Sequence, residues 1–208
     1  MALYGPAGFL GKGFRLVARR IAAFIGVTRG GPYSLEQAAG MAGAAVHRVR
    51  SLNTRESRAL LSGLSPDLLI SMACPEILRR RTLAIPSRAA LNVHSALLPR
   101  NRGMLPTFWS LMESPPRPGV TVHLMNERLD DGEIILQREI PVERGRTTLE
   151  ALLAESKRVA ADLLIEAIDA YDRGAPTPFP NPASEATVNT FPTVRDVREF
   201  RRRGWRVR

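Results

Sequence analysis

One cysteine, Cys74, is all the thiol that 208 residues contain. A lone thiol excludes an internal disulfide, so the chain reads as a cytoplasmic protein held together by its core. Long apolar runs are missing as well: none approaches the roughly 18 consecutive residues of a membrane-spanning helix. Short His or Cys spacings of the kind a metal needs are also absent, although His94, His123 and Asp130 offer the right atoms. No internal repeat is visible. What the chain does have is a hydrophobic content of 44%, enough to build a sizeable core in a domain of ordinary size.

The formal net charge of +10 would point to a polyanion if it were spread evenly. Residues 1–35 carry Lys12, Arg15, Arg19, Arg20 and Arg29 with no acid. Residues 189–208 carry seven arginines against Asp196 and Glu199, and the stretch between holds 18 basic and 18 acidic residues. The charge therefore sits at the two ends. The centre has none to spare for nucleic acid as an obligate partner, while the ends suit contact with an anionic surface.

Hydrophobic periodicity divides the chain. Gly8 to Ile25 repeats apolar residues at three- and four-residue steps, with Lys12, Arg15, Arg19 and Arg20 opposite. This is a surface helix packed on a sheet, with a membrane-surface helix or a transit peptide as alternatives. A Gly-containing loop follows at Val27 to Tyr33. The pattern then predicts a helix over Leu35 to Ala42, a strand over Ala44 to Val49 and a helix over Asn53 to Leu64. Leu68-Leu69-Ile70 reads as a buried strand, and Cys74 to Leu78 as a turn into a helix ending near Arg80. Leu91 to His94, Val120 to Met125 and Ile134 to Ile140 are strands, with a helix over Pro106 to Glu113. Thr147 to Tyr171 is the longest helix, with capping-box spacing at Thr147 and Glu150 and a stop at Gly174. Pro176, Pro178, Pro180 and Pro182 then enforce an extended linker, and Thr193 to Arg203 forms a short basic helix. The division predicted is an α/β domain over residues 1–174 with a largely parallel sheet, then a linker and helix over 175–208.

Two stretches carry chemistry. Asn92 and His94, two apart in a strand, leave the same face of it. The strand exits through Leu97-Leu98-Pro99-Arg100-Asn101-Arg102-Gly103, and the carboxyl end of a strand is where open α/β sheets place their sites. Downstream, Gly119-Val120-Thr121-Val122-His123 leads to Leu129-Asp130-Asp131-Gly132, a turn that delivers a carboxylate. By itself the Asp pair reads more often as a solvated turn, and His123 equally as structural or supporting.

Asn-x-His with Leu-Leu-Pro-x-x-Arg-Gly, then Gly-Val-Thr-x-His and Leu-Asp-x-Gly, together resemble the folate-dependent formyltransferase family over roughly Pro66 to Gly174. The tail from Asn189 resembles an extension of some bacterial members. The resemblance implies a Rossmann-like three-layer fold with a mostly parallel sheet and transfer of a formyl group from 10-formyltetrahydrofolate to an amine. It assigns catalysis to Asn92, His94 and Asp130. Such a transfer develops oxyanion character and must move the amine's proton, which an amide N–H and an imidazole can serve; Asp130 would orient His94 and raise its pKa. The pterin slot maps to Cys74, Pro75, Glu76, Ile77 and Leu78 on one side and to Asn126 and Arg128 on the other, and Arg102 to an acceptor phosphate or carboxylate. No metal is implied. The acceptor is a small molecule or an aminoacyl-tRNA. Two departures stand out. Ser95 and Ala96 replace the family's Ser two places after the His, and the family's opening strand, loop and helix have no counterpart near Met1, so a truncated and weakly stable fold is expected. Hydrolysis of the same donor, or a non-catalytic binding module, are the alternative readings.

Overall fold

The computed structural model describes residues 34–208. The helix expected at Gly8 to Ile25 and the loop at Val27 to Tyr33 lie outside the described residues. The chain divides into two compact units, Met1–Arg50 and Ser51–Arg208. In the first, α1 (Leu35–Met41) begins where the Ser34 side chain accepts the Gln37 N–H, and Arg48 pairs with Glu36 at 2.6 Å. The strand expected at Ala44 to Val49 does not form, and those residues are exposed. Two alanines and two valines give too little apolar area to offset the ordering of a strand.

The second unit opens with α2 (Arg55–Leu64), whose N-cap Thr54 accepts the Ser57 N–H. Ser65 at φ 46 and Pro66 end it. β1 (Leu68–Met72) runs parallel to β2 (Ala89–His94), with Leu68 opposite Ala89 and Met72 opposite Val93. Between them, α3 (Arg80–Leu83) starts later than expected. Cys74 to Leu78 is irregular because its polar groups are bonded outward: Glu76 accepts from Ser51 Oγ at 2.7 Å, from the Leu52 N–H and from Asn53 Nδ2 at 3.0 Å.

β2 leads into β3 (Arg102–Gly103) and α4 (Pro106–Leu111), then β4 (Gly119–Leu124) and β5 (Ile134–Glu139). The main sheet has the order β1-β2-β4-β5. The fold class is the expected α/β one; among the described strands β1 and β2 pair in parallel, whereas β2 with β4 and β4 with β5 pair antiparallel. The connection from β4 to β5 is short enough to return only antiparallel, and it closes at Gly132, where a Cβ would run into the Leu124 carbonyl.

α5 (Leu149–Arg173) lies against β2, β4 and β5. Its cap is Thr148, which accepts the Ala151 N–H; Thr147, the expected cap, instead accepts the Glu143 N–H. Its buried stripe includes Leu149, Leu152, Val159, Leu163, Ala167 and Tyr171. No described helix is long and apolar enough to cross a membrane.

Residues 175–208 do not stand apart after Gly174 as the Pro spacing suggests; they belong to the same unit as the sheet. β6 (Val188–Asn189) pairs in parallel with β3. α6 (Val194–Arg202), opened by a capping box between Thr193 and Asp196, buries Val197 and Phe200. Phe200 stacks on Phe108 with centroids 4.8 Å apart, and Trp205 lies 6.5 Å beyond Phe200. Burial of these rings ties the tail down more firmly than a proline-rich linker would. Phe200→Ala should therefore cost about 3–5 kcal/mol, read as a drop in the urea midpoint of the whole unit; a loss under about 1 kcal/mol would mean that the tail is only draped on the surface.

Candidate functional site

Asn92 on β2 stands opposite His123 on β4, and His94 opposite Thr121. Cross-strand partners share a face, so one side of this antiparallel pair presents an amide, two imidazoles and a hydroxyl. Such a polar group under cover needs partners for every donor. Thr121 uses its hydroxyl to fix the exit from β2: it donates to the Ala96 carbonyl at 2.6 Å and accepts the Leu98 N–H at 3.1 Å. Gln137 of β5 donates to the same hydroxyl and to the Leu98 carbonyl.

The remaining three side chains converge on Asp130. Asn92 Nδ2 lies 3.4 Å from Asp130 Oδ1, His123 Nε2 3.7 Å from the same oxygen and His94 Nδ1 3.6 Å from Oδ2. The Gly103 N–H donates to Oδ2 at 2.8 Å. Asp130 itself has φ 48, a left-handed conformation that costs free energy unless the surroundings impose it.

The carbonyl partners fix both tautomers. His123 Nδ1 lies 2.8 Å from the Leu124 carbonyl and must donate to it; its Nε2 is then the acceptor for Asn92 Nδ2 at 3.1 Å. His94 Nε2 donates to the Asn101 carbonyl at 2.8 Å. A neutral His94 therefore turns the Nδ1 lone pair toward the Asp130 carboxylate. Burial pushes His94 below the ordinary 6.5, outweighing the Asp130 carboxylate and the Asn101 carbonyl, which favour its charge; His123 and Arg102 add to the lowering. This corrects the expectation of a raised pKa: Asp130 acts in that direction, and desolvation is larger. For Asp130, burial favours the proton, but His123, His94 and the Gly103 N–H together hold the carboxyl below its ordinary value.

Beside this cluster opens a cleft with a void of about 410 Å³ including its mouth. Cys74, Glu76, Ile77 and Leu78 line one part and Asn126, Arg128 and Leu129 another, with Asn92, His123 and Asp130 between them. Pro75 is in the segment but not in the lining, and His94 is buried behind Asp130. Both wall segments are outside helix and strand, so their main-chain groups are not consumed by ladder or helix bonds, as main-chain recognition of a flat heterocycle requires. Glu76 has its carboxylate turned onto Ser51, Leu52 and Asn53, and these bonds hold it below the usual range; its part in the wall is structural.

Arg102 is not where an acceptor could reach it. It is 5% exposed; its guanidinium pairs with Asp131 and donates to Asn181 Oδ1 at 2.9 Å. The expected anion-binding role is therefore replaced by an internal one. Asp131 receives Arg102, Asn126 Nδ2 at 3.2 Å and Arg128 Nε at 2.7 Å. Sequence reasoning missed Asn101, which fills an unspecified position of the Leu-Leu-Pro-x-x-Arg-Gly motif, and Gln137 and Asn181, which belong to no motif, and left His123 undecided. The Gly-Val-Thr-x-His motif contains His123, but its placement opposite Asn92 needs the register. Among the described residues no group of side chains could hold a metal ion.

Residues 32–168 match the family model for formyl transferases. A methionyl-tRNA formyltransferase of Roseiflexus sp. is 36% identical over 162 residues, covering 78% of this chain and 50% of that protein. The chain spans about half the length of the curated relatives it matches. Among solved structures, the formyltransferase PseJ of Anoxybacillus kamchatkensis, in complex with a UDP-formamido sugar and tetrahydrofolate, aligns with TM-score 0.61 at 25% identity over 76% of this chain and 82% of that one. A sugar N-formyltransferase from a Shewanella species shares the fold, with TM-score 0.60 at 22% identity over 90% of this chain and 80% of that one.

The electrostatics fix a sign. His94 in the folded chain binds its proton less readily than in the unfolded chain, so its ring should titrate below 6.5, and the stability it lends at higher pH is lost as pH falls through that range. Asp130→Asn removes the carboxylate that favours the charged ring and should move the midpoint lower still. Ring 15N shifts followed from pH 8 to 4 test this; a midpoint that rises in Asp130→Asn would show that the carboxylate does not act on this ring.

Proposed function

Because the chain belongs to the formyl transferase family, we propose that it transfers a formyl group from 10-formyltetrahydrofolate to an amine, at the site where Asn92, His94 and Asp130 meet. The observation that carries this reading is the convergence of those three side chains, 38 residues apart along the chain from Asn92 to Asp130, at the edge of a cleft walled by Cys74 to Leu78 and Asn126 to Leu129. The donor supplies an activated formyl carbon on N10. The cleft walls take its pterin by main-chain contact.

Each residue then has a defined task. As the acceptor nitrogen bonds the formyl carbon, the formyl oxygen gathers negative charge, and Asn92 Nδ2 faces it. One Nδ2 hydrogen is tied to His123 at 3.1 Å, and the other is held only by the long 3.4 Å contact to Asp130, so it is the one that can be redirected. The amine must lose a proton in the same step. The Asp130–His94 pair takes it: protonating Nδ1 converts a lone pair facing a carboxylate into a charge-assisted contact, which offsets the desolvation that keeps the ring neutral at rest. The C–N10 bond breaks and the same pair returns the proton to N10. Arg102 and Asp131 do not touch substrate; they hold the loop on which Asp130 sits.

For the acceptor, a methionyl-tRNA or an amino-sugar nucleotide fits the names of the relatives, and both present a primary amine. Asn92→Ala and His94→Ala should each lower transfer from formyltetrahydrofolate by about 10²–10³ while the urea transition stays cooperative. Release of tetrahydrofolate with each candidate acceptor measures it. Turnover unchanged in both variants would remove the site from the chemistry, and formate as sole product would make water the acceptor.

A further inference from the structure

The proline-spaced segment after α5 touches both loops of the site, although no motif lies in it. Phe179 exchanges two main-chain bonds of 2.9 Å with Ile134, at the start of β5. Thr187 accepts the Arg102 N–H through its carbonyl at 2.9 Å and the Asn101 N–H through Oγ1 at 2.8 Å. Asn189 accepts the Met104 N–H and donates its side-chain amide to Asn101 Oδ1 at 3.0 Å. Its carbonyl also crowds Gly103 so closely that a Cβ there would collide with it. Residues 179–189 thus form a strap across the His94-side loop and the Asp130 loop.

Asn181 is the point where the two loops are tied together. Its Nδ2 donates to the carbonyls of Asp130 at 3.0 Å and Gly132 at 2.9 Å. Its Oδ1 and main-chain oxygen accept Arg102 at 2.9 and 3.2 Å. Three partners of fixed polarity leave only one orientation for the amide. The two carbonyls flank Asp131, and the first is that of the left-handed residue Asp130 itself. We propose that Asn181 is a positioning residue: through those two carbonyls it imposes the backbone geometry that aims the Asp130 carboxyl at His94 and Asn92, and through Arg102 it couples that aim to the opposite loop. The inference rests on the reading of Asp130 and His94 given above.

The test uses the full chain with Asn181→Ser and Asn181→Asp, the second keeping an acceptor for Arg102 while losing both donors to the Asp loop. Two quantities are read in each: the ring 15N titration of His94, and kcat and KM for formyltetrahydrofolate. A loosened Asp130 should lower kcat by about 10–100-fold with KM changed by less than about two-fold. In Asn181→Ser, which adds no charge, it should also shift the His94 midpoint to lower pH, since the other charged or titratable groups acting on that ring, His123 and Arg102, stay in the sequence. Reduced stability with an unchanged midpoint and unchanged kcat per folded molecule would overturn the proposal, because that is what a merely structural tie predicts. Failure of both variants to fold would overturn it in the same way. If the wild-type chain transfers no formyl group, the proposed function fails, and the His94 titration still decides whether Asn181 positions Asp130.

Discussion

A carboxylate that is mostly out of water must be answered by donors or it takes up a proton. Asp130 is 11% exposed at its side chain and is answered by two donors, a main-chain N–H from β3 and an amide from β2, with the imidazoles of β2 and β4 within 3.7 Å of its oxygens. The rest of the unit can be understood as what is needed to keep those donors in place. Its backbone is left-handed at that residue, the following Gly132 cannot bear a Cβ, and Gly103 across from it is equally confined. Strain of this kind persists only where neighbouring contacts over-determine it.

Those contacts come from ordinary groups. Thr121 and Gln137 pin the first part of the loop leaving β2, while Thr187 and Asn189 pin the last. The buried pair of Arg102 with Asp131 sits between the loops, with Arg102 Nε as one donor left unpaired. A buried pair of this sort contributes little net stability, the less so with one donor unpaired. The stack of Phe108 and Phe200, with Trp205 beyond, anchors the end of the strap. Apolar burial in the tail is thereby converted into precision at a polar site some distance away.

Electrostatic preorganisation follows from the same arrangement. Burial lowers the pKa of His94 although the ring faces a carboxylate, so the pair has little reason to hold a proton at rest. Asn92 is held by His123 with one donor to spare.

Much of this was legible in the linear chain. The strand period alone placed Asn92 and His94 on one face, the turn chemistry at Asp130-Asp131-Gly132 marked a loop, and the apolar stripe of α5 was visible from Leu149 to Tyr171, because side-chain direction within one element is set by local backbone geometry. Direction across elements is not local. The antiparallel register that brings His123 to Asn92, the internal capture of Arg102, the sign of the His94 shift and the tie at Asn181 were decided by tertiary structure, since desolvation and long-range hydrogen bonds are properties of neighbours that lie tens of residues away.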